Sequence, residues 1–525
     1  MVAAVLQILA IFLTTWGSAV AATAGNESSC GQPLSLCQIN PQLVKAEYAV
    51  RGRLLARAVQ LETDLQAGKA LPFKKIVRCN IGNPQALGQK PLSFVRQTLS
   101  LVMNPDLLKE PDIRSLYPPD VLARASAYLA AVPSVGAYSD SQGVRLVRQH
   151  VAEFIAARDG YPASERDIFL TDGASAGVKA LMQLLMRGPH DAVIAPVPQY
   201  PLYSATTTLL NGTLAPYYLD ETAAWGVTGS ELARAVERAA TQGATARALV
   251  VINPGNPTGQ SLPKAVIENI LTFCADHGLV LLADEVYQEN VYGGAPKFLS
   301  FKKALADLAY RGAKGDAAAK ASAEKVQLVS FHSTSKGFIG ECGLRGGYFE
   351  LQNVPTDVRE QITKLASVSL CSNLIGQFTT GLMVRPPKGD DASFPTYSKE
   401  RADILASMHA RAQLIADALN ALPGLTCNAA EGAMYLFPRV MLPPRAIAAA
   451  AAAGFPAPDE WYCIKLLEAT GLVVVPGSGF GQQDGTFHFR TTFLPQRDDL
   501  EVVLPKLGAF QRAFMAEYGD GKDEV

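Results

Sequence analysis

Cysteine is scarce in this chain, eight residues in 525, too few for a disulfide scaffold to stand in for a hydrophobic core. No C-x-x-C or H-E-x-x-H spacing gathers metal ligands, so no structural metal is expected. An excess of either charge is also missing, since 47 lysines and arginines face 48 aspartates and glutamates. Without a basic surplus there is no general pull toward phosphate backbones or anionic lipid, and no nucleic-acid partner is expected. Internal repeats are absent. Hydrophobic residues make up 48% of the chain, well above what leaves a chain disordered. What remains is an ordinary folded protein, long enough for two or three domains.

Basic residues are missing longest at the start. Val2 to Ala24 carries no charge, Glu27 is the first ionisable side chain and Lys45 the first basic one. The apolar centre Val5 to Leu13, followed by Ala19-Val20-Ala21, has the hydrophobic region and small-residue cleavage pattern of a secretory signal, without its basic leader. A signal or an uncleaved anchor is expected over residues 1–24, with a buried helix as the alternative. The first arginine is Arg51, which disfavours an Arg-rich transit peptide. Any membrane contact is expected only through residues 2–24. Asn26-Glu27-Ser28 is a glycosylation acceptor, and Lys522-Asp523-Glu524-Val525 nearly matches a retrieval tail, an ending read as chance because the last residue is Val. In an oxidising lumen Cys30 and Cys37 could pair. Cys79, Cys274, Cys342, Cys371, Cys427 and Cys463 are expected as buried thiols.

From about residue 145 short β-branched runs alternate with helical stretches, the pattern of β-α-β units and a largely parallel sheet. Ile168-Phe169-Leu170, Ala192-Val193-Ile194, Ala248 to Ile252, Val280-Leu281-Leu282 and Val326 to Val329 read as buried strands. The Ala-rich stretches Ala317–Ala323 and Ala446–Ala453 read as helix or surface insertion. After about Ser393 a long helical stretch precedes Val473-Val474-Val475 and Phe487-His488-Phe489, suggesting a smaller α+β domain. The expected division is an N-terminal arm over 25–94, a large domain over 131–392, and a small domain from 95–130 with 393–525.

Ligands of open α/β sheets collect beyond the carboxyl ends of the strands. There the sequence places Asp172-Gly173-Ala174-Ser175, opening a helix whose free N–H groups suit a phosphate. It also places Asn253 to Gly259, Asp284 with Tyr287, Ser333-Thr334-Ser335-Lys336, and Arg345 within Gly343 to Gly347. A carboxylate, a tyrosine, an amide, an anion cradle, two hydroxyls, an arginine and a lysine at one sheet edge suit pyridoxal 5'-phosphate. The Lys336 amine can form a Schiff base with its aldehyde, and Asp284 can keep its ring nitrogen protonated. Asn256 and Tyr287 are placed to hydrogen-bond the ring phenolate oxygen, and Tyr200 to stack on the ring.

These residues sit in longer segments: Asn80 to Ala86, Pro198 to Ser204, Asn253 to Gly259, Leu282 to Gln288, Ser330 to Gly337 continuing to Glu341-Cys342-Gly343, and Val475 to Gly481. With these the chain resembles the class I/II aminotransferases from about Pro72 to Tyr518. The resemblance implies an α/β protein of PLP fold type I, aspartate aminotransferase-like, with a mostly parallel central sheet in the large domain. It implies that Lys336 carries the cofactor and shuttles the proton, and that Ala174, Ser175, Ser333, Ser335 and Arg345 hold its phosphate. Tyr138 is implied to reach the phosphate of a partner subunit, making the active unit a homodimer. Arg490 is implied to grip the substrate α-carboxylate, with Gly82 and Asn256 nearby.

The resemblance implies ping-pong transfer between L-alanine with 2-oxoglutarate and pyruvate with L-glutamate. Glyoxylate as acceptor is the alternative. An elimination of the kind catalysed by aminocyclopropane-carboxylate synthases and a non-catalytic cofactor-binding regulator stand further off. The resemblance points to cytoplasm or mitochondrion, whereas the N-terminus points to the secretory pathway. His332, although beside the lysine segment, is expected to be structural.

Overall fold

The computed structural model describes residues 34–48, 52–293 and 298–519. The chain divides into two compact units, residues 1–46 and 47–525. In the first, Asn40 caps a short helix, Pro41–Lys45, by accepting from the Gln42 N–H at 2.9 Å. Cys37 is disulfide-bonded. Cys30, Asn26, the apolar segment 2–24 and the tail 522–525 lie outside the described residues. Among the described residues no helix is long and apolar enough to cross a membrane.

The second unit is built on a seven-stranded sheet: β1 Ile168–Thr171, β2 Asp191–Val197, β3 Thr213–Tyr218, β4 Thr245–Ile252, β5 Val280–Asp284, β6 Gln327–Ser333 and β7 Gly347–Gln352. The spatial order is β1-β7-β6-β5-β4-β2-β3. All strands run parallel except β7, which is antiparallel to both its neighbours. Two strands were not anticipated from the sequence. β3 lies at the sheet edge, pairs only with β2, and contains Pro216, which an edge strand tolerates because the missing N–H would face outward. β7 opens on Gly347, where a Cβ would come within 2.8 Å of the His332 carbonyl oxygen and 2.9 Å of the Ala174 nitrogen. A glycine there lets strand and helix approach.

Alternation along the strands divides the core. Ala192, Ile194, Leu249, Val251, Leu281, Ala283 and Leu328 face one side, under the helices Gly229–Thr241, Lys264–His277 and Phe301–Ala313. Val193, Ala195, Val250, Ile252, Leu282, Val329 and Phe331 face the other, against the helix Ala174–Leu185. Truncating any of the buried leucines to alanine would cost about 2 to 5 kcal/mol.

The long helix Phe394–Asn420 and the C-terminal helix Arg497–Tyr518 share a core with residues 54–79, Trp461 and Phe489. Beside them Tyr435–Leu436 (β8), Val475–Pro476 (β9) and Phe489–Thr492 (β10) form a small antiparallel sheet in the order β8-β10-β9. Residues 95–130, grouped with this region in the sequence reading, put Val95, Leu99, Val121, Ala125 and Tyr128 into a different cluster. That cluster includes Val147, Val151, Ile168 and Phe378, because the helices Ser93–Met103 and Pro119–Ala131 turn their apolar faces toward Arg145–Asp159 and Leu374–Val384. Both Ala-rich stretches are helices, Ala317–Lys325 and Pro444–Ala452, the first capped by Asp316.

Three of the six free cysteines, Cys79, Cys274 and Cys463, are buried as expected. Cys342, Cys371 and Cys427 are only half-buried.

Candidate active site

Register brings the chemistry to one height. Ile252 pairs with Asp284 and Asp284 with Phe331, so the segments leaving β4, β5 and β6 emerge together. After β4 the chain folds back tightly. The Gly255 N–H donates to the Gln260 carbonyl at 2.9 Å, and Asn253 Oδ1 accepts from the Leu262 N–H at 3.0 Å. This holds Asn256 buried, with its Nδ2 donating to the Tyr287 hydroxyl at 3.2 Å.

Asp284, at the end of β5, is buried and accepts from the Tyr203 hydroxyl at 2.8 Å. Burial pushes its carboxyl above the usual range, opposed by Tyr203, the Val286 N–H and the charge of Lys336. Among the described residues no cation lies within ion-pair distance of it. A buried acid of this kind is stabilised in its charged form by a protonated ligand nitrogen.

An anion cup lies beside it. Gly173 has φ +78, and a Cβ there would meet Arg345 Nη2 at 2.4 Å. The turn therefore needs glycine, and it delivers the backbone N–H groups at the start of the helix Ala174–Leu185 to the cavity. Ser333 Oγ accepts from the Ser335 N–H at 3.1 Å. Arg345 donates to the carbonyl oxygens of Cys342 (2.9 Å) and Asp172 (3.0 Å) and approaches Ser335 Oγ at 3.5 Å, with no carboxylate partner among the described residues. Free amides, hydroxyls and an unpaired guanidinium at a helix N-terminus make a phosphate site.

The far wall comes from other parts of the chain. Arg490, on β10, is 1% exposed, and its guanidinium lies between the Tyr435 and Phe480 rings, 4.2 and 4.5 Å from their centroids. It donates to Asn256 Oδ1 at 3.2 Å and to the Asn80 carbonyl at 2.5 Å, while its Nε has no partner. A buried arginine with neither a carboxylate partner nor a satisfied Nε suits a ligand carboxylate. Lys336 donates to the Gly82 carbonyl at 3.2 Å and sits 5.6 Å from the Tyr287 ring centroid.

A single cavity of about 280 Å³ gathers Gly82, Ala174, Ser175, Tyr200, Asn256, Asp284, Tyr287, Ser333, Ser335, Lys336, Arg345 and Arg490. Tyr138 alone among the residues chosen from the sequence lies elsewhere, on a loop with 78% of its surface exposed. His332 sits under the sheet with neither ring nitrogen partnered, and burial, then Arg158, pushes its pKa down to about 3. It is a neutral, structural residue.

Four site residues were missed. Tyr203, in the first turn of the helix Leu202–Leu209, follows Tyr200 by three residues in the same Pro198 to Ser204 segment, a proximity that could have found it. Tyr435 lines the cavity, and Tyr48 meets it through Tyr200, whose hydroxyl lies 2.6 Å from its own; both are placed only by tertiary contacts. Cys342 lines the cavity and donates to the Ser335 carbonyl at 3.2 Å, with burial raising its thiol pKa.

Anion cup, unpaired buried acid, lysine and orphaned arginine fit the phosphate, ring nitrogen and aldehyde of pyridoxal 5'-phosphate and the carboxylate of an amino acid. The chain belongs to the aminotransferase class I and II family, whose model matches residues 110–507, and it is therefore a pyridoxal-phosphate-dependent transaminase. It is 50% identical to alanine aminotransferase 2, mitochondrial, of Arabidopsis thaliana, over 96% of this chain and 92% of that one. It is 49% identical to glutamate–glyoxylate aminotransferase 2 of the same plant, over 92% of this chain and 96% of that one. A single-mutant form of Thermus thermophilus aspartate aminotransferase superposes with a TM-score of 0.65 at 19% identity, covering 90% of this chain and 99% of that one. The fold is that of PLP fold type I.

Proposed function

We propose that the protein transfers an amino group between L-alanine and 2-oxoglutarate, giving pyruvate and L-glutamate in two alternating half-reactions. The observation that carries this reading is the meeting of Lys336, unpaired Asp284 and unpaired Arg490 in one cavity. Similarity to an alanine aminotransferase over almost the whole chain supports the substrate pair. When bound, the cofactor supplies an aldehyde that accepts the amine and a ring that takes up electrons.

The chain does the rest. Asp284, fixed by Tyr203, holds the proton on the ring nitrogen, and Asn256 and Tyr287 hydrogen-bond the ring oxygen. Tyr200 covers the ring face. Ala174, Ser175, Ser333, Ser335 and Arg345 anchor the phosphate. Arg490 with Gly82 and Asn256 orients the α-carboxylate, so that the bond to be broken faces Lys336. With the cofactor bound, the Lys336 amine would hold and move the proton at the substrate α-carbon. Tyr138, exposed on its loop, completes the phosphate site of a second copy in a homodimer.

Incubating the holoenzyme with alanine and either 2-oxoglutarate or glyoxylate tests the reading. Stoichiometric pyruvate and glutamate, formed faster than pyruvate and glycine, are expected. Preference for glyoxylate would move the protein to the glutamate–glyoxylate group, and ammonia release without a new amino acid would make it a lyase. Of the compartments considered, the mitochondrion is favoured by the name of the Arabidopsis relative, and the secretory route has no such support. Sequencing the mature N-terminus separates the two.

A further inference from the structure

Four side chains of the far wall close a ring of contacts. Arg490 donates to Asn256 Oδ1 at 3.2 Å, Asn256 Nδ2 to the Tyr287 hydroxyl at 3.2 Å, and Tyr287 to the Tyr435 hydroxyl at 3.5 Å. The ring closes where the Arg490 guanidinium covers the Tyr435 ring at 4.2 Å. Its direction is set at one end. A guanidinium has donors only, so the Asn256 oxygen faces Arg490 and its NH₂ faces Tyr287, which must accept. The path ends at the Tyr435 hydroxyl, whose own proton meets no further protein acceptor among the described residues. At 3.5 Å the Tyr287 contact is weak enough that turning the Tyr287 proton to the cofactor ring oxygen leaves the Tyr435 proton for a ligand.

The place of that hydroxyl says what it faces. A Cβ on Gly82 would lie 2.1 Å from the Tyr435 oxygen and 3.3 Å from Lys336 Nζ. Both groups therefore border the same small volume above Gly82. In the reading proposed above, on which this inference rests, Lys336 must reach the carbon where amine and carbonyl oxygen are exchanged. Arg490, the carboxylate anchor, lies against the ring of the same tyrosine. Carboxylate and carbonyl are on adjacent carbons of a 2-oxo acid, and Tyr435 spans the two positions from ring to hydroxyl.

We propose that Tyr435 donates a hydrogen bond to the carbonyl oxygen of the 2-oxo acid substrate, holding it more firmly than a carboxylic acid that lacks this oxygen. Burial alone would raise the Tyr435 phenol, but Lys336 and Arg490 outweigh it and hold the group below the ordinary tyrosine range. A more acidic phenol is a stronger donor. The remaining groups facing it are the Tyr287 hydroxyl, which donates to it, and the neutral Cys342 thiol. The sequence offers no hint of this role, because Tyr435 meets the site only through the pairing of β8 with β10.

Calorimetric titration of the holoenzyme, without amino donor and therefore without turnover, tests the assignment using pyruvate and propionate. These acids share a carbon skeleton and differ by the carbonyl oxygen. Tyr435→Phe should weaken pyruvate about tenfold and propionate less than about twofold, the size of one neutral hydrogen bond. Equal weakening of both acids would mean that the tyrosine only props Arg490, and would overturn the proposal. So would unchanged binding of pyruvate, or a loss confined to 2-oxoglutarate, which would place the hydroxyl at the distal carboxylate. Failure of the wild-type holoenzyme to bind pyruvate, together with failure to form it from alanine, would instead overturn the alanine–2-oxoglutarate reading, and this inference with it, before any variant is made.

Discussion

The two walls of the cavity are assembled differently. On one side Ala174, Ser175, Asp284, Ser333, Ser335 and Lys336 leave strands of one sheet, within four residues of a strand end. On the other, Gly82 comes from a loop far earlier in the chain than Tyr435 and Arg490, which lie on strands of two and four residues paired in one small sheet. The first wall inherits its geometry from hydrogen-bonded register. The second depends on aromatic faces clamping a guanidinium and on a glycine leaving room for a phenol. Rigid chemistry on the cofactor side thus meets a substrate side that is set by packing.

Breaking the sheet-edge wall should have the largest effect. Lys336→Ala removes the amine placed to move the proton, and turnover should fall by about four orders of magnitude or more. Circular dichroism should remain that of the wild type. Multiple turnovers at a substantial rate would remove Lys336 from the mechanism. Arg490→Lys breaks the opposite wall by replacing a planar fork with a point charge. kcat/KM for either substrate should drop about a hundredfold, the worth of a lost charged hydrogen bond, with cofactor retention by absorbance unchanged. Equal loss of cofactor would show that the walls are not separable.

Gly82→Ala probes the same wall more gently. Its Cβ would press on the Tyr435 oxygen at 2.1 Å, and such overpacking costs about 1 to 3 kcal/mol. Adding Tyr435→Phe should restore part of the lost melting temperature. No rescue would mean that the strain lies elsewhere.

The smallest effect on turnover is expected beneath the sheet edge. Burial pushes Glu285 up to about 8, against the opposing charge of Arg158. The folded chain thus keeps a proton that the unfolded chain releases above about 4.5. Its stabilising contribution is full below that pH and is lost as pH rises through 8. Glu285→Gln should flatten the fall in denaturation midpoint between pH 5 and 9 while leaving rates near wild type.

The division between the walls is also the division between what the sequence disclosed and what it withheld. Asp284 and Lys336 follow apolar runs whose end marks a strand end, so their shared position could be read from spacing and strand order. The strand β7 was missed because its Gly-Gly start reads as loop, and β3 because Pro216 interrupts its pattern. Arg490 and Gly82 were reached through resemblance, not periodicity. Tyr435 stayed hidden because a two-residue strand leaves no hydrophobic period to detect, and its partner Thr492 in β10 lies 57 residues further along the chain.

There is one berth for two visitors. Among the described residues Arg490 is the only guanidinium on the far wall, so whichever acid arrives first keeps the other waiting until it departs. A surplus of oxo acid should then crowd out the amino donor, and the protein would slow itself whenever the pool it feeds is already full.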